Sequence, residues 1–221
     1  MPPVEPGRAR GPVLPTQTPS GTPLSGFDPG ERSTAFREKA FSFLTGRPAG
    51  GALEGDRGAQ LMAAFGSSTR DPSRPNVAAA AKGLGVSTRS VQRWIAGSGM
   101  STKHAKTLST KARQAMTTKR GRAAAARAAG PLRAPRGKNG LRVSGIMGKI
   151  SASDGNYRPR DARVQVQQED LDRLQALWIE HGDAGVEAFL HSHFDQHYEP
   201  DWHFRSVDAL EWDFNLNYND Y

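Results

Sequence analysis

Thr88, Arg89, Gln92 and Arg93 are the residues whose types and spacing point most directly to a chemistry. On a helix they recur three and four apart and so share one face. Arg can fork onto guanine, Gln can pair with adenine, and Thr or Arg can hold phosphate. That chemistry is DNA recognition. Other constellations offer less. Of His191, His193, His197 and Asp195, only His193 and His197 stand four apart, and no Glu-rich frame surrounds them, so no metal site is expected. The glycines from Gly46 to Gly58 lack a following Gly-Lys-Ser or Gly-Lys-Thr and do not make a phosphate cradle. Asp201, Asp208, Glu211 and Asp213 crowd the last 21 residues, where an acidic surface facing a partner explains them more simply than catalysis. The chain is therefore expected to be no enzyme and to hold no cofactor of its own.

The DNA-facing set needs a helix-turn-helix to carry it, and residues 76–95 have that grammar. Asn76 caps a helix of small residues through Leu84, Gly85 supplies the positive backbone angle of a tight turn, and Ser87 leads into the second helix. Val86, Val91 and either Trp94 or Ile95 fall where the two helices share an apolar face. Helical propensity resumes at Thr102 and runs to about Ala129, where Gly130-Pro131 stops it. This long basic helix carries Lys103, Lys106, Lys111, Arg113, Lys119, Arg120 and Arg122, all assigned to DNA. Its cations are spread too evenly to leave a clear apolar stripe, so DNA is expected to order it.

The remaining elements follow from periodicity and breakers. Residues 36–44 form a short helix with Ser33 and Thr34 as N-cap candidates, ended by Gly46-Arg47-Pro48, and residues 59–65 form a second, closed by Gly66. Residues 141–160 are glycine-broken and then loop-like. Residues 163–167 alternate as a strand, Leu171, Leu174, Leu177 and Trp178 mark one helix, and Val186, Phe189, Leu190, Phe194 and Tyr198 mark another. A last strand is expected over residues 207–214. The fold expected is thus mainly α with a small α+β C-terminal module: a helix-turn-helix plus a long basic helix, then strand-helix-helix-strand. Its parts are a Pro/Gly-rich disordered tail (1–30), a helical domain with the helix-turn-helix (31–100), the basic helix and linker (101–140), a loop region (141–160) and an acidic module (161–221). A module of about 60 residues is marginal alone, so dimerisation or a partner is expected, and its strand-helix-helix order permits a ribbon-helix-helix pairing of two chains.

Charge supports the division. Of 221 residues, 30 are Lys or Arg and 22 are Asp or Glu, a formal charge of +8 that hides a dipole. Residues 101–142 hold 12 Lys and Arg and no acid, whereas residues 168–221 hold 13 Asp and Glu against only Arg173 and Arg205. Basic blocks suit polyanions, and an acidic end suits a protein partner or screening of the basic segment. The absence of Cys excludes disulfides and thiolate chemistry. No apolar run is long enough to span a membrane and no signal segment opens the sequence, so a cytoplasmic, nucleoid-associated protein is expected.

Taken in order, the Phe-bearing helix ending at Gly46-Arg47-Pro48, Leu84-Gly85-Val86-Ser87 through Arg93, the basic helix, Gly140-Leu141-Arg142-Val143, residues 151–163 and the acidic Asp208-Ala209-Leu210-Glu211 resemble the telomere terminal proteins of linear actinobacterial chromosomes and plasmids. The likeness covers roughly residues 33–214. It implies a protein that binds telomeric DNA and primes end-patching synthesis through a side-chain hydroxyl, staying covalently attached to the 5′ end. It also implies a DNA polymerase and a telomere-associated protein as partners, with divalent metal supplied by the polymerase. The family's acceptor lies two residues past a Gly in the loop before the Arg-led strand, which places it at Tyr157, where family members carry Thr; Ser151 and Ser153 come next. Arg158, Arg160 and Arg163 would give the incoming triphosphate a positive field. The alternative is a helix-turn-helix transcriptional regulator or plasmid-maintenance protein that dimerises through its C-terminal module.

Overall fold

The computed structural model describes residues 29–149 and 157–213. Helix α1 (Pro29–Thr45) begins upstream of Ser33 and Thr34, which lie inside it and do not cap it. It buries Phe36, Ala40, Phe41 and Leu44, a stripe at helical spacing. Its buried Glu38 accepts from the backbone N–H groups of Gly51 at 2.9 Å and Leu53 at 2.7 Å, which fixes the turn into α2 (Arg57–Phe65).

Helices α3 (Val77–Leu84) and α4 (Thr88–Ile95) form where the capping residues require. The Asn76 side chain accepts from Ala79 N–H at 3.0 Å, and the Ser87 hydroxyl accepts from Ser90 N–H at 3.2 Å. Between them Gly85 adopts φ 68°, ψ 36°, the left-handed geometry that lets the chain reverse. Two helices follow, α5 (Thr102–Thr117) and α6 (Lys119–Ala129), where one long helix is expected from sequence. The break is Thr118, extended at φ −102°, ψ 142°, whose hydroxyl accepts from Gly121 N–H and so starts a new helix. Nor do these helices lack a packing face. Leu108, Ala112 and Met116 recur every fourth residue of α5 and are buried, as are Ala125 and Ala126 of α6.

The sheet is built around β1 (Gly140–Lys149), a strand missing from the strand-helix-helix-strand order expected from sequence. On one edge it pairs antiparallel with β2 (Arg158–Gln165), placing Leu141 opposite Val164 and Val143 opposite Ala162. Helices α7 (Gln168–His181) and α8 (Asp183–His197) follow, and the chain returns to the other edge of β1 as β3 (Trp202–Phe204) and β4 (Ala209–Asp213), end to end along the same strand. Glycines that obscure the alternation of β1 are demanded by this arrangement. A Cβ on Gly145 would stand 2.1 Å from the Ser206 carbonyl oxygen, where the chain passes from β3 to β4. The loop expected up to residue 160 ends by Tyr157, and β2 absorbs Pro159 because an edge strand tolerates a missing N–H. Strand β2 bonds to β1 of its own chain, so the sheet is built within one chain with β2 at its edge.

One core runs from α1 through the inner faces of α5 and α6 to the sheet, α7 and α8, with Phe41 edge-on to Trp178 at 6.0 Å. A second, smaller core of Leu61, Ala80, Ala81, Val91, Trp94 and Leu108 lies under α4. Helix α5 contributes to both, so it ties the helix-turn-helix to the sheet. Residues 131–139 are held too: Leu132 is buried, and the Gln168 amide donates to its carbonyl at 2.9 Å. Among the described residues no helix is long and apolar enough to cross a membrane.

Two stability tests follow from this packing. Gly145→Ala should lower the free energy of urea unfolding by about 1–3 kcal/mol, because the methyl meets rigid backbone at the strand junction. His193 is buried on α8 and stacked on Phe189 at 5.1 Å, with Nε2 2.9 Å from the Gln165 carbonyl oxygen. Burial depresses its pKa, outweighing the Gln165 carbonyl and the Asp170 carboxylate, while His197 and Arg173 also oppose the charge. The unfolded chain therefore takes the proton more readily, so this contribution is present above the ordinary imidazole pKa and is lost as pH falls. Urea midpoints should drop between about pH 7.5 and 5.5, by less in His193→Gln than in the parent.

Candidate nucleic-acid interface

Helix α4 turns Val91 and Trp94 into the small core and leaves Thr88, Arg89, Gln92 and Arg93 exposed. Trp94, not Ile95, fills the apolar position left open by spacing; Ile95 is 43% exposed. The helix is clamped at its far end by Arg57 of α2, whose Nη1 donates to the carbonyls of Trp94 at 3.0 Å and Ser98 at 2.9 Å. Such donors satisfy carbonyls that a helix end leaves without partners. The Trp94 ring also meets His104 of α5 at 5.4 Å, and His104 Nδ1 bonds the Ser101 hydroxyl at 2.8 Å. The four exposed side chains thus project from a helix fixed at both ends, the rigid presentation that base reading needs.

The basic residues of α5 and α6 do not form one surface. Lys103, Lys106 and Arg113 recur at three and seven residues along one flank of α5, while Lys111, two residues from Arg113, projects from the other. Lys103, Lys106, Lys111, Arg113 and Arg120 are exposed, and no carboxylate pairs with any of them among the described residues. Lys119 differs, since its ammonium is ion-paired with Glu180 of α7 at 2.6 Å. The Lys119 hydrogen bond, first among the causes, holds the Glu180 carboxyl below the usual carboxylate range.

Arg122 does not belong to a DNA face at all. It is buried, and its guanidinium donates to the carbonyls of Thr117 at 2.9 Å, of Ile179 at 3.0 and 3.2 Å, and of Glu180 at 3.2 Å. Its partners belong to the C-terminal turns of α5 and α7. Nothing near residue 122 in sequence signals this, because the acceptors on α7 lie 57 and 58 positions away.

Tyr157 stands at the threshold of β2 and is half-buried. The Arg205 guanidinium lies 3.8 Å from its ring centroid, and the His203 ring meets it edge-on at 6.4 Å. Arg205, one of only two arginines in the acidic segment, thus packs its guanidinium against the Tyr157 ring, a neighbour that sequence reasoning missed. Of the arginines expected to surround Tyr157, Arg158 is exposed, Arg160 packs 5.4 Å from the Trp202 ring, and Arg163 is paired with Asp213 at 2.9 Å. Ser151 and Ser153 lie outside the described residues. Compared with protein families, with curated proteins and with solved structures, the chain matches none.

The contrast between Arg93 and Arg122 is measurable. If Arg93 contacts a phosphate, Arg93→Gln should reduce the slope of log affinity against log salt for duplex DNA by about 0.9. Arg122→Gln should leave that slope unchanged and lower the unfolding midpoint, since it removes the donors of part-buried helix-end carbonyls.

Proposed function

We propose that this chain is a DNA-binding protein that reads duplex DNA through α4, neutralises backbone phosphate of the duplex with Lys103, Lys106 and Arg113 of α5, and offers the Tyr157 hydroxyl as the primer for DNA synthesis at the end of a linear replicon. The observation that carries the DNA-binding part is the presentation of Thr88, Arg89, Gln92 and Arg93 from a helix clamped by Arg57. With six to ten phosphates engaged, affinity falls by about 10³–10⁵ between 50 and 200 mM salt.

The priming part is supported by the surroundings of Tyr157. The Arg205 guanidinium, 3.8 Å from the ring centroid, and the exposed Arg158 next in sequence put positive charge beside Tyr157, which favours the approach of a triphosphate. In the reaction the tyrosyl oxygen attacks the α-phosphorus of a deoxynucleoside triphosphate. A new P–O bond forms, pyrophosphate leaves with the electron pair of the broken bond, and the phenolic proton passes to a base of the polymerase or to water. A DNA polymerase, with its own divalent ions, supplies in-line geometry, and telomeric DNA and a telomere-associated protein complete the assembly. The chain is here a substrate and a primer, in the cytoplasm at the nucleoid.

The half-burial of the Tyr157 ring favours a second reading, a transcriptional regulator or plasmid-maintenance protein that uses the same helix-turn-helix and has no covalent step. The two separate cleanly. Incubated with labelled deoxynucleotide, metal and extract from a host with linear replicons, the full chain should acquire label that survives denaturation. Tyr157→Phe, which keeps the ring beside Arg205, should lose that label and retain duplex affinity. A palindromic footprint with no adduct, in an extract that labels a known terminal protein, would establish the regulator instead.

A further inference from the structure

A groove of about 810 Å³ opens between α2 and α3 on one side and the bend from α5 into α6 on the other. Its cations are Arg47, Lys111 and Arg120, and no carboxylate lines it. None of Thr88, Arg89, Gln92 or Arg93 reaches it, so it is distinct from the reading face of α4. Arg47 is the anomaly within it. Its side chain is half-buried, its Nη1 donates to the Ala63 carbonyl at 3.3 Å, and among the described residues no acid pairs with it. Desolvation alone pulls its pKa below the ordinary arginine value, with no opposing charge to restore it. For a half-buried cation without a counter-charge, an anion arriving from outside is stabilising.

The shape of the groove selects the anion. Ala64, Ala79, Ala124 and Ala128 make its walls, so a ligand backbone can approach both sides closely, and the half-buried Phe65 offers an aromatic surface. A duplex is a convex rod whose phosphates cannot enter a slot to meet a recessed guanidinium. A single strand can: cationic grooves track its backbone while aromatic rings stack its bases. We propose that the groove between α3 and α5–α6 binds a segment of single-stranded DNA, with phosphates on Arg47, Lys111 and Arg120 and a base against Phe65. The inference rests on the DNA-binding reading above and adds to it a second surface for the unpaired state of the nucleic acid.

Fluorescence anisotropy on the full chain tests it with two probes, a labelled oligothymidylate in the ~4–16 nucleotide range typical of such sites and a blunt duplex. Relative to the parent, Arg47→Gln/Lys111→Gln/Arg120→Gln should weaken oligothymidylate binding at least ~10-fold, its salt slope falling by about 0.7 for each phosphate no longer neutralised, and leave duplex binding within about twofold. Because Arg47 is half-buried, Lys111→Gln/Arg120→Gln, both at exposed positions, provides a variant that keeps the fold, and it should weaken the oligothymidylate selectively as well. Arg89→Gln/Arg93→Gln should show the converse selectivity. A parent that binds duplex but not oligothymidylate, or groove variants that bind it unchanged or lose both probes equally, overturns the groove alone. A parent that binds neither probe overturns the DNA-binding reading with it.

Discussion

The buried Arg122 guanidinium, shared between two helix ends, is the contact on which the rest of the arrangement depends. The last carbonyls of a helix have no partner within it and carry the negative end of its dipole. Arg122 collects such carbonyls from α5 and α7 at once, with Lys119 and Glu180 paired alongside. This side chain, together with the shared apolar core, ties the basic helices to α7. Since α5 also carries Leu108 beneath Trp94, the same contact fixes where α4 points relative to the sheet. Arg57 repeats the device on a smaller scale at the end of α4.

The acids of the C-terminal module are met in part by cations elsewhere in the fold. Asp183 at the start of α8 pairs with Arg37 of α1 at 2.8 Å, although burial still pushes its carboxyl above the usual range. Glu180 meets Lys119, Asp213 meets Arg163 at 2.9 Å, and Glu199 meets Lys149. On the sheet, Arg142 lies between Asp161 at 2.9 Å and Glu211 at 4.0 Å. These acids pair with Arg37 of α1, Lys119 of α6 and Arg142, Lys149 and Arg163 of the sheet, while among the described residues the cations of α4 and α5 and Arg120 of α6 have no acidic partner. The unpaired positive charge is therefore carried by α4, α5 and the start of α6.

What could be read in sequence and what could not divides by distance along the chain. Asn76, Gly85 and Ser87 act on neighbours three residues away or fewer, and the elements they delimit appear where those residue types require. Strand β1 escaped because Gly145 and Gly148 interrupt its alternation, and the reason for Gly145, the Ser206 carbonyl, is 61 residues downstream. Arg122 looked like one more exposed cation because burial of an arginine is decided by acceptors from a different helix. The break at Thr118 was masked by strong helix formers on both sides, although the side chain that makes it is a common N-cap. At the candidate hydroxyl, Arg158 was apparent from adjacency, whereas Arg205 reaches Tyr157 only through the antiparallel return of β3 along β1.

That return has a consequence for the order of events during synthesis. The helices from α2 to α5 are close in sequence and can close their small core as soon as α5 has emerged, as chains dominated by local contacts do. Strand β1 is the centre of its sheet yet the first strand made, and its partner β4 arrives about sixty residues later. At ~5–20 residues per second, this leaves one edge of β1 without its partner for several seconds. An unpaired apolar edge is a template for other chains. The nascent protein thus passes through an interval in which its helical half can be complete while its sheet half is still open to chaperones and to aggregation.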